Sequence, residues 1–169
     1  MKSIVRLINS ISEYTGKIAC WACVILFLAM VYEVGARYIF DAPTIWAYET
    51  AMMLGATIAV LAWPYTHRHH GHVRVDVIYT HLPPRGKAII DVVCFLLLFC
   101  PLLFVLIYAA GARMWLAWLR GEVMAEGYWY PPAGPVRTVI VLGLSLFTLQ
   151  GVAHFLRDLH FLIRNKDYD

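Results

Sequence analysis

The chain has little charge and none of the common signatures of catalysis or nucleotide binding. Only 15% of its 169 residues are Asp, Glu, Lys or Arg. A glycine-rich phosphate loop is missing, which argues against ATP hydrolysis, and no nucleophile, base and orienting group form a recognisable set. Internal repeats are also missing, and the long apolar runs have no acid or histidine at their centres. An independent transporter usually has repeats around a polar mid-membrane site, so this class is disfavoured.

Hydrophobic residues, by contrast, are abundant and lie in long uncharged runs. They make up 61% of the chain, against about 45–50% in a soluble domain. Runs near 20 residues match a hydrocarbon core of about 30 Å at about 1.5 Å per residue. We therefore predict an all-α integral membrane protein with one domain over residues 1–169 and four transmembrane helices. The predicted spans are about 18–39, 46–65, 89–114 and 136–157.

The distribution of Lys and Arg predicts the orientation. The N-terminus, the loop at 66–88 and the C-terminus together contain ten of the fourteen basic residues. Because basic residues are enriched on the cytoplasmic side, we expect both termini in the cytoplasm and the loops at 40–45 and 115–135 outside. Aromatic residues near the predicted interfaces agree with these boundaries. They are Trp46, Trp63, Tyr65, Trp115, Trp118 and Tyr128 to Tyr130.

The N-terminal segment is amphipathic. Ile4, Val5, Ile8 and Ile11 recur at a spacing close to the helical repeat of about 3.6 residues. This pattern predicts a short helix that lies at the membrane surface before the first span.

The four cysteines all fall inside predicted spans 1 and 3. Cys20 and Cys23 have the CxxC spacing of a redox motif, whereas Cys94 and Cys100 are six positions apart in span 3. A redox motif needs an accessible helix N-terminus that stabilises the thiolate. We therefore interpret these residues as small apolar side chains and expect no disulfide framework.

Residues 67–72 read His-Arg-His-His-Gly-His and are the most obvious candidate metal site. Neutral imidazole binds zinc and copper well. A membrane-embedded redox or metal-binding subunit that uses the His67–His72 cluster is therefore one hypothesis. However, metal sites usually need ligands from more than one segment, and no second cluster accompanies this one. The other interpretation is a cytoplasmic loop that meets lipid headgroups or a partner.

Three ionisable residues lie at membrane depth. Glu33 and Arg37 are four residues apart on one helical face and can pair. Glu49 begins span 2, three residues after Trp46. Ionisable residues in a membrane are functional candidates, either for a proton relay or for a polar contact with a partner subunit. Because mid-span has no further acid or histidine to continue a relay, the structural role is favoured.

The residues that follow the histidines suggest a short extended stretch. Arg74 and Asp76 are two residues apart among alternating valines, which places them on one face of an extended segment. Nothing around them supports a catalytic role.

Several short motifs occur in a fixed order between residues 35 and 84. The first span ends Gly35-Ala-Arg37-Tyr38-Ile-Phe40, and Trp46-Ala-Tyr-Glu49 opens the second. Gly71-His72-Val-Arg74-Val-Asp76 and Leu82-Pro83-Pro84 follow. In this order and spacing the chain resembles the small membrane subunit of tripartite ATP-independent periplasmic (TRAP) transporters, the DctQ-like family.

The resemblance implies a function that is not enzymatic. It implies a small scaffold subunit in the bacterial inner membrane that binds and stabilises the large transport subunit of a sodium-coupled system for organic-acid uptake. A periplasmic substrate-binding protein is a second implied partner, which the subunit helps to dock. The basic inner loop makes membrane lipid a further expected partner. No nucleic acid, cofactor, metal or catalytic residue is expected.

The resemblance also assigns structural or partner-facing roles to particular residues. Trp46 and Glu49 are expected at the outer end of span 2. The inner loop is expected to contain Gly71, His72, Arg74 and Asp76.

Overall fold

The computed structural model describes residues 2–69, 71 and 82–164. These residues are helical apart from short connections, and only an isolated bridge between Val123 and Pro132 has β-type pairing. The all-α prediction is therefore confirmed for the described part of the chain. The helices are α1 (Lys2–Tyr38), α2 (Ala47–Arg68), α3 (Pro84–Cys94), α4 (Cys100–Arg120) and α5 (Gly134–Arg164), and a π-helical turn at Phe95–Phe99 joins α3 to α4.

Three of the helical stretches are long and apolar enough to cross a membrane. They are Val5–Tyr38, Pro84–Arg120 and Gly134–Ile163, which include the first, third and fourth predicted spans. Helix α2 has 22 residues, which at about 1.5 Å per residue is also long enough. It is not among the three, because Glu49 near its start and His67 and Arg68 at its end make it more polar.

The N-terminal segment differs from its prediction. The expected short surface helix is wrong as a separate element, because these residues form the first turns of the 37-residue helix α1. One face of this segment is buried against α5, where Val5 and Ile8 pack with Ala153. No proline interrupts α1, so backbone hydrogen bonding continues into the first predicted span.

The helices pack in the order α1, α2, α5 and then α3 with α4, and the N-terminal half of α1 also contacts α5 directly. Helix α5 lies close to α2 at Gly143, where a Cβ atom would be 2.8 Å from the carbonyl oxygen of Val60. At Gly151 it lies against the ring of Phe99 in the π-helical turn, with which a Cβ would clash. Helices α1 and α4 occupy the two edges of this layer, so much of their surface is left uncovered by the chain itself.

Pro101 explains the irregularity between α3 and α4. Proline has no N–H, and its ring clashes with the carbonyl group four residues earlier, so the α-helical pattern fails in the preceding turn. There the backbone N–H of Cys100 donates to the carbonyl oxygen of Phe95, a π-type hydrogen bond.

Candidate functional site

The Glu33 carboxylate closes the connection between α1 and α2. Arg37 Nε donates to Glu33 Oε1 at 3.0 Å, so the structure places the two residues together as their spacing predicts. The other oxygen, Oε2, accepts from the backbone N–H of Thr44 at 3.2 Å and from the Thr44 hydroxyl. The contribution of Thr44 was missed, because no sequence pattern relates residues 11 positions apart.

Trp46 lies beside this cluster and joins the same two helices. Its ring stacks on that of Tyr32 with a centroid distance of 5.9 Å and an interplanar angle of 23°. Its carbonyl oxygen accepts from the backbone N–H of Thr50 at 3.0 Å, which starts α2. Trp46 is therefore both the residue at which α2 begins and a contact between α2 and α1.

Glu49 is the most deeply buried charged residue described, with 0% of its surface exposed. Its Oε1 accepts from the backbone N–H of Trp129 at 3.2 Å. Gly127 lies directly against the carboxylate, since a Cβ at this position would be 2.2 Å from Oε1. Within the described residues, Oε2 has no hydrogen-bond partner. The Glu49 carboxylate thus contacts the connection between α4 and α5 at Gly127 and Trp129.

That connection, residues 121–133, is a short hairpin, called here the 121–133 hairpin. The backbone N–H of Met124 donates to the carbonyl oxygen of Pro131 at 2.8 Å, and the N–H of Ala133 donates to that of Glu122 at 2.8 Å. Gly121 ends α4 with φ +61°, in the left-handed region that glycine adopts at little cost.

An ion pair fixes the base of the hairpin. Arg137 on α5 pairs with Glu122, and its NH1 also donates to the carbonyl oxygen of Arg113 on α4 at 3.1 Å. Trp118 Nε1 donates to the Thr138 hydroxyl at 2.9 Å. Both contacts tie the end of α4 to the start of α5. The sequence offered no signal for them, because their partners are not related by a local repeat.

A second polar cluster lies at the opposite end of the helices. Gln150 on α5 is 0% exposed, and its Oε1 accepts from the Ser12 hydroxyl at 2.8 Å. Its Nε2 donates to Asn9 Oδ1 at 3.2 Å. Arg68 on α2 reaches the same region, where its NH1 donates to Glu13 Oε2 at 2.6 Å. Sequence reasoning missed this cluster, because an isolated Gln in an apolar run does not reveal its partner.

The described histidines of this run, His67 and His69, have different surroundings. The placement of His67 in a loop is wrong, since it belongs to the last turn of α2. Its ring stacks on Phe99 at a centroid distance of 5.6 Å and meets the edge of His154 at 4.9 Å. His69 Nε2 instead lies 3.6 Å from Glu13 Oε2. In the part of the chain that the structure describes, no three His, Cys, Asp or Glu residues are grouped to hold a metal ion.

The inner-loop prediction falls mostly outside the described residues. His70, His72, Arg74 and Asp76 all lie there. Gly71 is described: its N–H donates to the carbonyl oxygen of Thr66 in the last turn of α2 at 2.9 Å, a bond of the kind that caps the C-terminal end of a helix.

The four cysteines, all within described helices, are exposed and unpaired with one another. They are Cys20, Cys23, Cys94 and Cys100.

Comparison with known families decides the class of protein. Residues 26–161 match the family model described as "Tripartite ATP-independent periplasmic transporters, DctQ component". The chain belongs to the DctQ family. It is therefore the small membrane subunit of a TRAP transporter, a tripartite system that also has a large membrane subunit and a periplasmic binding protein. A search of curated proteins finds no match.

The matched range contains most of the geometry described above. It includes Glu33, Glu49, the 121–133 hairpin and Gln150, whereas Ser12 and Glu13 precede it. The DctQ family is a transporter component and not a known enzyme family.

Proposed function

We propose that this DctQ subunit is a scaffold of a sodium-coupled TRAP transporter for organic acids in the bacterial inner membrane. In this proposal α2 also spans the membrane, which gives four spans in total, and both termini are cytoplasmic. The subunit binds and stabilises the large transport subunit and helps to dock the periplasmic binding protein. Substrate and sodium are bound by the large subunit and not by this chain.

The open layer of helices is the observation that favours a scaffold. Helices α1 and α3–α4 expose large apolar side chains along their length, among them Trp21, Phe27, Leu97 and Phe104. A surface of this kind needs lipid or another apolar protein against it. An edge-on contact with the large subunit would cover one of these helices, while lipid covers the other.

The distribution of described basic residues supports the orientation. The end of the layer that holds the N-terminus and the α2–α3 connection has Arg6, Lys17, Arg68, Arg85 and Lys87. The positive-inside rule assigns this end to the cytoplasm. The 121–133 hairpin and the α1–α2 connection then face the periplasm, where the binding protein docks.

The polar residues named from the sequence have positioning roles in this proposal. Glu33, Arg37 and Trp46 shape the α1–α2 connection, and Glu49 supports the hairpin beside it. Gly71, His72, Arg74 and Asp76 are proposed to face a partner from the cytoplasmic loop.

The test is co-purification of the tagged full chain from its native membranes in mild detergent, with mass spectrometry of the bound proteins. We expect a large polytopic membrane protein in a stoichiometric amount. We also expect cells that lack this chain to lose uptake of an organic acid, and to regain it with the wild-type chain. A chain that purifies alone with bound metal, from cells with normal uptake, would contradict the scaffold proposal.

A further inference from the structure

The tip of the 121–133 hairpin exposes three consecutive aromatic side chains. Tyr128 is 84% exposed, Trp129 45% and Tyr130 53%. Exposed aromatic residues of this size are unfavourable in water and usually contact either a protein or the interface of a bilayer.

The conformation of this tip is held by specific contacts. Gly127 lies so close to the Glu49 carboxylate that any side chain there would clash, and the next contact is the hydrogen bond from the Trp129 N–H to Glu49 Oε1. Tyr130 has φ +54°, a left-handed conformation that is uncommon for a bulky residue. The buried Glu49 carboxylate thus contacts the hairpin at two positions, next to a residue in this uncommon conformation.

Other aromatic side chains are exposed at the same end of the helices. Residues at the end of α1, the start of α2 and the end of α4 share this property. They are Tyr38, Phe40, Tyr48, Trp115 and Trp118. Tyr and Trp at the ends of membrane spans mark the interface between acyl chains and headgroups, because their rings are apolar and their O–H and N–H groups are polar. The hairpin tip lies at the same end of the helices, since the Trp129 backbone contacts Glu49 next to Tyr48.

We propose that the 121–133 hairpin is an interfacial anchor whose tip, Tyr128 to Tyr130, enters the headgroup layer of the bilayer, and that Glu49 is the residue that positions it. The rings would lie at the acyl boundary, while the phenol and indole groups donate to phosphate and ester oxygens. The inference requires only that the chain is embedded in a membrane, so it does not depend on the proposed transport function.

The charge of the hairpin defines the kind of lipid. Residues 121–133 contain two acidic residues, Glu122 and Glu126, and no basic residue. The hairpin therefore has no charge complementarity to anionic headgroups. Its insertion depends on partition of the aromatic rings, and zwitterionic phospholipid is sufficient.

The experiment measures the depth of the tip with a spin label. In the full chain, the four native cysteines are replaced by alanine and Tyr128→Cys is labelled with a nitroxide. The protein is placed in nanodiscs of phosphatidylethanolamine and phosphatidylcholine. Collisional accessibility to oxygen and to a water-soluble nickel chelate is compared with two reference labels, Leu106→Cys at mid-span and Glu126→Cys on the polar part of the hairpin.

We expect accessibility at position 128 to be intermediate between the two references. Gly127→Ala should shift it toward the aqueous reference, because the added Cβ displaces the tip from Glu49. Gly111→Ala is the matched control, since no atom lies within 4 Å of a Cβ at that position, and it should cause no shift. Should Gly127→Ala fail to fold, a second pair is available: Glu49→Ala should shift the label, whereas Glu49→Gln keeps an acceptor for the Trp129 N–H and should not.

Three results would overturn the proposal. The first is fully aqueous accessibility at position 128. The second is an interfacial depth that stays unchanged in Gly127→Ala and Glu49→Ala, which would remove the positioning role. The third is a label that is aqueous in the isolated chain and becomes shielded only when the large subunit or the periplasmic protein is added, because the tip would then be a protein contact.

Discussion

Two buried carboxylates lie at the same end of this DctQ subunit but have different surroundings. Glu33 accepts hydrogen bonds at both oxygens, from Arg37 and from Thr44. Glu49 accepts from one backbone N–H, and its second oxygen has no partner among the described residues. Buried polar groups are costly unless they are hydrogen-bonded. Both Glu33 oxygens are therefore hydrogen-bonded in the α1–α2 connection, whereas the contact of Glu49 with the 121–133 hairpin depends on a single hydrogen bond among the described residues.

The Thr44 hydroxyl provides a test of the Glu33 cross-link. Thr44→Val keeps the backbone N–H but removes the hydroxyl that donates to Glu33. We expect the Tm in detergent to fall by about 2–4 °C. Thr57→Val is the control, because its hydroxyl donates to the Met53 carbonyl of its own helix and not to a residue of another helix in the part of the chain that the structure describes. Equal changes in Tm for the two variants would show that the hydrogen bond from Thr44 to Glu33 adds no stability beyond that of a hydrogen bond within one helix.

At the scale of elements, α5 contacts every other helix of the described layer. Two of its glycines lie where a neighbour approaches closely: Gly143 against α2 and Gly151 against the π-helical turn. Small residues allow such contacts between membrane helices, where dispersion forces replace the hydrophobic effect as the source of stability.

Gly143→Ala tests the contact between α5 and α2. The added Cβ would lie 2.8 Å from the Val60 carbonyl oxygen, and backbone atoms cannot move aside cheaply. We expect a loss of about 1–3 kcal/mol in the free energy of unfolding, measured by denaturant titration in micelles. Gly55→Ala has open space around the new Cβ and should gain up to about 1 kcal/mol from helix propensity. The same sign for both variants would disprove the packing explanation.

Gln150 tests the contact between α5 and the N-terminal half of α1. Gln150→Leu leaves the buried Ser12 hydroxyl without its acceptor, so we expect a loss of about 0.5–2 kcal/mol in the free energy of unfolding. The double variant Gln150→Leu with Ser12→Ala should lose less free energy of unfolding than the sum of the two single variants, because the unsatisfied Ser12 hydroxyl is removed. Simple additivity in this double-mutant cycle would mean that the two residues are not coupled.

At the scale of the whole molecule, the subunit is an open layer of helices with little core of its own. Its buried apolar residues are mostly small, such as Ala19, Ala117 and Ala153, while many large ones are exposed. Most apolar surface therefore has to be covered by lipid or by the large subunit.

This architecture predicts that the subunit is stabilised by its partner. A partner that binds only the folded state adds about 2.7 kcal/mol when present at 100 times its Kd. We expect the Tm of the chain in detergent to rise as purified large subunit is titrated in, and to go on rising with the logarithm of the free large-subunit concentration once the complex is formed. An unrelated polytopic membrane protein is the control, and an equal rise with that protein would indicate nonspecific coverage of the apolar faces.

The sequence by itself determined the features that depend on neighbouring residues. Long apolar runs are enough to predict membrane-spanning helices, and α1, α3–α4 and α5 agree with the runs. A spacing of four residues is enough to bring Arg37 to Glu33, because helical geometry places such positions on one face. The ordered motifs between residues 35 and 84 were enough to indicate the DctQ family, which the family match confirms.

Only the tertiary structure decided the contacts between distant residues. Glu49 meets Trp129 across 80 positions, and Ser12 meets Gln150 across 138. Nothing local in the sequence relates these partners, because each contact depends on how whole helices pack. Packing likewise joined the N-terminal segment to α1 and placed His67 among aromatic rings, where local pattern had predicted a surface helix and a loop. Tertiary contacts override local preference when they bury a face that local pattern leaves exposed.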